Sequence, residues 1–345
     1  MAKSLTSVIG VDIGRHSLKS VLLQRKGGNR IAVTHFASQV VDDNVERTPD
    51  ELVKQLKALM REMGGKAKAC AVAITSPEAL VRIIDQPDTP TEVLRDALRL
   101  NGTLLLNQDT REFVLDCAEI PVAPGPEAPA NAQKRYFVAG LPRTQIATIG
   151  EVIDKSGAGA LAALQLSPVS VFNAFAYAKP DIFNGGAFFL LDIGHEGSTM
   201  MLGSKRELVL IRNIEFGGRA FLESLCTLSN EPREAVIALL DQEDELMVEN
   251  ARIALNSLTR EIGSSIGFFE GRREETIGKI WISGGTAKCK TMLRVLSEEL
   301  RMPCVAWQAL ESCENAVAAS RQPQLQAEML DYSVAFGVAT QLLKD

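Results

Sequence analysis

Two short segments of this chain have the residue types and spacing to hold a polyphosphate. Ile9-Gly-Val-Asp12-Ile-Gly14 and Leu190-Leu-Asp192-Ile-Gly194 each close an apolar run on Asp-x-Gly, and hydroxyl residues follow: Ser17 in the first, Ser198 and Thr199 in the second. Glycine lets the N–H groups of a turn come close to phosphate oxygens, and a neighbouring hydroxyl adds a donor. The carboxylates of Asp12 and Asp192 suit Mg²⁺, a cation that prefers oxygen and keeps most of its waters. A single turn of this kind reads more simply as a tight hairpin whose aspartate bonds its own backbone. Two copies at equivalent places in a repeated pattern favour one shared cleft.

A third glycine turn, Ile282-Ser283-Gly284-Gly285-Thr286-Ala287, follows an apolar strand and precedes a helical pattern around Met292, Leu293 and Leu296. A glycine pair there lets a flat ring or a ribose lie against bare backbone, so this turn reads as the nucleoside site. His16 and His195 sit just after the two Asp-Ile-Gly turns. They are read as lining the cleft rather than as bases, because phosphoryl transfer to water depends on positioning and charge more than on an imidazole. Lys19 has two readings of equal weight, a point charge on a phosphate or an exposed strand lysine.

The elements that must carry these residues follow from periodicity. Ser7 to Gly14, Leu18 to Gln24 and Arg30 to Ser38 read as an antiparallel meander, its second turn at Lys26-Gly-Gly-Asn. Pro49 opens a helix with Leu52, Val53, Leu56, Leu59 and Met60 at spacings of three and four, and Cys70-Ala-Val-Ala-Ile reads as a buried strand. The same β-β-β-α-β order returns from Ala187, through strands at Met200 to Gly203 and Leu208 to Ile214. A helix at Ala220 to Leu228 and a long one from about Val248 to Phe269 follow, then the strand Lys279-Ile-Trp-Ile-Ser. Between the repeats, residues 82–157 read as an inserted subdomain that includes a Pro-rich loop from Val122 to Ala132 and a last helix, Arg143 to Ser156. The expected division is 1–81 with 158–184 as the first domain, 185–325 as the second, and a closing helix in 326–345 that returns to the first.

Composition bounds the rest. A length of 345 residues suits two domains. With 37 Lys+Arg against 43 Asp+Glu the net charge is −6, so no global positive field exists to hold nucleic acid. No apolar run approaches the roughly 20 residues of a membrane span, and the opening Met1-Ala-Lys-Ser-Leu-Thr-Ser-Val lacks a signal-peptide core. Both point to a cytoplasmic protein without direct membrane insertion. The six scattered cysteines read as buried apolar residues in a reducing compartment, and the acidic stretch from Asp241 to Leu246 as solvated surface.

Taken together, the three turns resemble those of the actin-like ATPase superfamily, and within it the PilM family of type IV pilus assembly proteins. The likeness rests on Val8-Ile-Gly-Val-Asp-Ile-Gly-Arg-His-Ser-Leu-Lys19, Leu191-Asp-Ile-Gly, Ile214-Glu-Phe-Gly-Gly-Arg219, Arg260-Glu-Ile-Gly-Ser-Ser-Ile-Gly-Phe-Phe269 and Ile282-Ser-Gly-Gly-Thr-Ala287. These span nearly the whole chain, and it is their combination that is specific.

The resemblance implies an α/β, two-domain actin-like ATPase fold with duplicated β-β-β-α-β units and an inserted subdomain of the FtsA and PilM type. It implies ATP or ADP with Mg²⁺ as ligands. Nucleotide contacts would come from Gly14, Ser17, Lys19, Gly194, Gly197, Ser198, Gly217, Gly218, Gly284 and Gly285, and water-mediated metal contacts from Asp12 and Asp192. As partner it implies a PilN-like inner-membrane protein, held by its N-terminal cytoplasmic tail, together with other inner-membrane and motor components of the pilus. The location would be cytoplasmic and peripheral to the inner membrane, since Asp331 to Lys344 resembles the closing helix of the fold with no added membrane-binding tail.

Three departures from the family pattern, Glu196 in the second phosphate turn, Ser167-Pro-Val-Ser-Val-Phe-Asn where an acid is expected, and Gly263-Ser264 where arginines are common, point to a slow ATPase at most. Alternative readings are a sugar-type kinase of the same superfamily, disfavoured because no acid stands out as a base, and a polymerising protein of the FtsA or MreB kind.

Overall fold

The structure, a computed structural model, describes residues 5–27, 30–41, 46–121 and 133–343. The Gly28-Asn29 part of the second turn and the Pro-rich loop 122–132 lie outside the described residues. The first unit opens with β1 (Ser7–Ile13), β2 (Ser17–Lys26) and β3 (Arg30–Val40), then α1 (Pro49–Met63) and β4 (Ala69–Ile74). Helix α1 begins as its sequence dictates. The Thr48 hydroxyl accepts the Glu51 N–H at 3.2 Å, Pro49 fills the first turn, and Gly64 ends the helix in the left-handed conformation.

Strand β5 (Leu80–Gln86), α2 (Thr91–Leu106), β6 (Phe113–Glu119) and β7 (Lys134–Pro142) form an antiparallel sheet of order β5-β7-β6 covered by one helix. Next come α3 (Arg143–Ser156), β8 (Ala160–Leu166), α4 (Ser167–Ala178) and α5 (Pro180–Gly185). The second unit holds β9 (Ala187–Ile193), β10 (Ser198–Ser204), β11 (Glu207–Ile214), α6 (Gly218–Ser229), α7 (Arg233–Asp241), α8 (Glu245–Arg273), β12 (Ile280–Ser283), α9 (Lys290–Leu300) and β13 (Cys304–Ala306). A short strand β14 (Glu314–Asn315), then α10 (Gln322–Glu328) and α11 (Ser333–Gln341), end the fold.

The duplication read from the sequence is explicit in the pairing. The first sheet has the order β14-β3-β2-β1-β4-β8 and the second β11-β10-β9-β12-β13, so each unit is an antiparallel meander extended by parallel strands on the far side of its first strand. Side-chain parity then decides what each central strand faces. On β1, Ile9, Val11 and Ile13 pack with Leu56 and Leu59 of α1, whereas Val8 faces a core shared by both units. On β9, Phe189, Leu191 and Ile193 face Leu255, Leu258 and Ile262 of α8, whereas Phe188 and Leu190 face the shared core. Phe175, Trp307 and Phe336 also belong to that core. Asp12 and Asp192 continue the parity of Val8 and Phe188, which puts both carboxylates on the inward faces of the two units.

Three boundaries differ from the sequence reading. The inserted subdomain has its own core of Leu80, Leu94, Leu98, Leu106, Leu115, Cys117, Tyr136 and Val138. Helix α3 packs outside that core, since Ile149, Val152 and Ile153 are buried with α1. The return to the first sheet comes before residue 326, since Glu314 and Asn315 pair with Ala32 and Val33 of β3. The third glycine turn leads first into a 3₁₀ turn, Gly285–Lys288, and only then into α9. Of the cysteines, Cys70, Cys117 and Cys304 are buried and the other three half-buried, all as free thiols.

The subdomain also touches the second unit. Arg135 on β7 meets the buried carboxylate of Glu207, at the start of β11, at 2.9 Å, and Arg273 at the end of α8 takes the same oxygen. Asp85 stands 3.5 Å from Arg135.

The tightest approach in the molecule is between α4 and α11, where a Cβ at position 337 would lie 1.8 Å from the carbonyl oxygen of Ser170. Gly337→Ala should therefore force the helices apart and cost at least the ~1–3 kcal/mol typical of overpacking. Urea unfolding would check this, and a variant as stable as the natural chain would show that the helix pair relaxes without strain.

Candidate functional site: the cleft between the two repeats

Strand pairing builds the cleft. Asp12 sits opposite Lys19 across β1 and β2, and Asp192 sits opposite Thr199 across β9 and β10 and beside Ser283 on β12. The Lys19 ammonium stands 3.9 Å from Asp12 Oδ2, and the Ser283 hydroxyl donates to Asp192 Oδ1 at 2.7 Å. Lys19 thus faces the carboxylates instead of solvent, and its charge favours ionisation of both.

Burial opposes that charge. It pushes the Asp12 carboxyl up to about 6, with Lys19 and Arg47 pulling it down and the charge of Asp192 adding to the rise. Burial raises Asp192 as well, against its bond from Ser283 and the charge of Lys19. Two buried acids under one lysine make a site with unspent negative charge. A set of carboxylate and hydroxyl oxygens in that state fits hydrated Mg²⁺, to which Asp12 and Asp192 can supply acceptors for its waters.

The turns are held by their own backbones. Gly194 N–H donates to Gly197 O at 3.0 Å, Gly218 N–H to Gly194 O at 2.9 Å and Arg219 N–H to His195 O at 2.9 Å. A Cβ on Gly217 would lie 2.4 Å from His195 O, so the junction into α6 admits no side chain there. In this state the N–H groups of Gly194 and Gly218 serve the turn. Ser198 is buried with its hydroxyl on Phe216 O at 2.5 Å, which makes it a pin between the turns. On the other side, the Arg47 guanidinium donates to Gly14 O at 2.7 Å, and Val41 N–H to His16 O at 2.8 Å. Ser17 is half-buried at the start of β2.

The third turn docks on the end of β9. Gly284 has φ of 93°, and a Cβ there would lie 2.3 Å from Ile193 O; Thr286 Oγ1 donates to that same oxygen at 2.7 Å. Gly285 opens toward Asp331, which pairs with Lys288. All three predicted turns are therefore brought to one place. Across the gap the rings of His16 and His195 stack at 4.3 Å and 15°.

Glu196, one of the departures from the family pattern, is paired, because Arg219 holds it at 2.8 Å. Arg47 and Asp331 were missed. Arg47 stands alone in a loop with no periodic signal, and Asp331 reaches the site only through the return of the chain.

A family model described as type IV pilus assembly protein PilM matches residues 163–342. The chain belongs to the PilM family. Its fold is the actin-like ATPase fold with the inserted subdomain of the FtsA and PilM type. Among solved structures, the PilM-PilN type IV pilus biogenesis complex is 22% identical with a TM-score of 0.81, over 98% of this chain and 99% of that one. The ethanolamine utilization protein EutJ from Carboxydothermus hydrogenoformans is 13% identical over 98% and 90% of the two chains, with a TM-score of 0.55. The nucleotide-free diol dehydratase-reactivating factor is 8% identical over 99% and 100%, with a TM-score of 0.58. No curated protein matches the chain. Among the described residues, no helix is long and apolar enough to cross a membrane.

The electrostatics of Asp12 set a stability trade for this PilM family member. Its carboxyl binds a proton more readily in the folded state, about 6, than at its ordinary value of 3.8, so its ionisation costs stability as pH rises through that window. Below 3.8 both states are protonated and the cost vanishes. Asp12→Asn should therefore be more stable than the natural chain at pH 7.5, by no more than about 3 kcal/mol, and no different near pH 4. Unfolding followed at both pH values checks this; a variant less stable at pH 7.5 would show that the Lys19 contact outweighs burial.

Proposed function

We propose that this chain is a nucleotide-binding scaffold of a type IV pilus assembly complex, which holds the N-terminal cytoplasmic tail of a PilN-like inner-membrane protein and hydrolyses ATP slowly or not at all. In this reading it lies on the cytoplasmic side and reaches the inner membrane through that partner. The observation that carries the tail-binding part is a groove of about 520 Å³ where the first unit meets the subdomain, lined by Pro77, Leu80, Arg82, Glu112, Phe113 and Pro142. A short tail loses conformational entropy when it orders, and a preformed groove lowers that cost. Strand β5 forms one edge of the three-stranded sheet and contributes Leu80 and Arg82, which offers main-chain groups to an extended peptide.

The working division of the chain is a first unit of residues 5–79 and 143–184 with the return from 314, a subdomain of 80–142, and a second unit of 185–313. ATP or ADP with Mg²⁺ would occupy the cleft between the units, its phosphates near Gly14, Ser17, Lys19, Gly194, Gly197, Gly217 and Gly218 and its nucleoside near Gly284 and Gly285. Slow turnover is consistent with the partners of the cleft acids. Lys19 stands over Asp12 and Ser283 bonds Asp192, and neither arrangement frees a carboxylate to hold a water for attack.

Calorimetry on the full chain separates the two parts. Phe113→Ala with Arg82→Glu should weaken a synthetic PilN-like tail peptide at least tenfold and leave Mg-ADP binding unchanged. Unchanged peptide affinity would move the partner surface elsewhere, and ATP turnover above about one per second would remove the scaffold reading in favour of an enzyme.

A further inference from the structure

We propose that His16 and His195 form a latch that holds the cleft closed and that an entering polyphosphate must part. The proposal rests on the reading of the cleft as a nucleotide site. Its basis is that the two rings come from different units, one beyond each Asp-Ile-Gly turn, and stack at 4.3 Å with their planes 15° apart. At that spacing the rings are in van der Waals contact, and no phosphate group fits between them.

Neither ring reaches the other by a loose loop. The turn of His16 is pinned to its own unit through Val41 N–H on His16 O and Arg47 on Gly14 O. The turn of His195 is pinned to its unit through Arg219 N–H on His195 O and Gly218 N–H on Gly194 O. Because each turn is fixed where it is, the ring contact is a contact between units, and it forms only when the units approach. The charged groups around it are already paired. Glu196, whose Oε1 is 3.8 Å from His195 Nε2, is held by Arg219, and Lys19 stands over Asp12. The stack is a ring-on-ring contact that bridges the gap between the phosphate turns, and because an aromatic pair is a weak bond it favours closure without blocking opening.

The test uses the full chain with His16→Ala, His195→Ala, the double variant and His16→Phe, which retains an aromatic ring to stack. All are half-buried positions at the cleft surface, where truncation leaves the cores untouched. In the nucleotide-free protein, hydrogen exchange at 14–17 and 194–198 should quicken in both turns whichever single ring is removed. The double variant should be no looser than either single, and His16→Phe should match the natural chain. Loosening confined to the turn that lost its ring, or effects that add in the double variant, would overturn the latch.

In calorimetry with Mg-ADP and Mg-ATP, each alanine variant should bind about two- to tenfold tighter, the range expected for losing one aromatic pair that opposes entry. Unchanged affinity would overturn the latch, and weaker affinity would assign the rings to ligand contact instead. If neither the natural chain nor any variant binds nucleotide at millimolar concentration, the nucleotide reading fails, while the exchange data still decide whether the rings join the units.

Discussion

The structure depends on a backbone-to-backbone contact between α4 and α11. Gly337 lies against the Ser170 carbonyl, and two residues earlier Ala335 presents its own carbonyl to Gly10 of β1, at a place where a Cβ would be 2.0 Å away. Glycine in a helix interior costs about 1 kcal/mol in propensity. Here that cost is outweighed, because the close approach lets Phe336, Val338 and their neighbours bury fully in the shared core, and one large apolar side chain is worth ~1.5–3 kcal/mol. Every residue of α11 from Ser333 to Thr340 is buried, and the helix packs on α4 and on the first sheet through β1, β2 and β4.

This contact positions the chemistry. Gly10 is two residues before Asp12 on the same face of β1, so the helix that seats on Gly10 also sets how far the carboxylate stands from the second unit. The second sheet hangs on the same core through Phe188 and Leu190 and delivers Asp192 by the same parity. The aromatic cluster of Phe175, Phe188, Trp281 and Trp307 lies at the base of the arrangement, with ring pairs 5.3 to 5.9 Å apart. Interiors packed to this density move as bodies rather than by local yielding. The Arg135–Glu207–Arg273 contact ties the subdomain to this arrangement from the start of β11.

What was legible in the sequence was local. An apolar run closing on Asp-x-Gly shows strand, parity and turn in eight residues, and two such runs gave the duplication, the inward carboxylates and the meeting of three turns. The fate of individual donors was not legible. Ser198 looks like a phosphate ligand by type and spacing, yet its hydroxyl is spent on Phe216, a partner eighteen residues away that only the fold brings near. The packing of α3 was not legible for a related reason, since the 3.6-residue period of Arg143 to Ser156 shows a helix with an apolar face but not which core receives it. The two-residue strand at Glu314–Asn315 carries no period at all. The partner of Glu196 was not legible either, because Arg219 stands twenty-three residues on and is brought back to it by the turn through Gly217 and Gly218.

Most charges of the cleft are paired, Asp12 under Lys19, Glu196 on Arg219 and Asp331 on Lys288, while Asp192 takes the hydroxyl of Ser283 and keeps its negative charge. A bare polyphosphate has little to gain there, since each cation it could use is already engaged and each acid repels it. A polyphosphate that arrives with Mg²⁺ changes the exchange. In the proposed reading Asp12 and Asp192 would hold the waters of the metal, Lys19 would be free to turn toward a phosphate, and the metal's charge would favour the ionised form of both carboxylates that burial opposes. Binding of this kind is a trade of partners among fixed groups, so its free energy is the small difference between two well-satisfied states. Such energetics accord with the proposed scaffold, whose occupancy would follow the supply of ligand, and differ from those of an enzyme, where fixed donors must be held unsatisfied for the transition state.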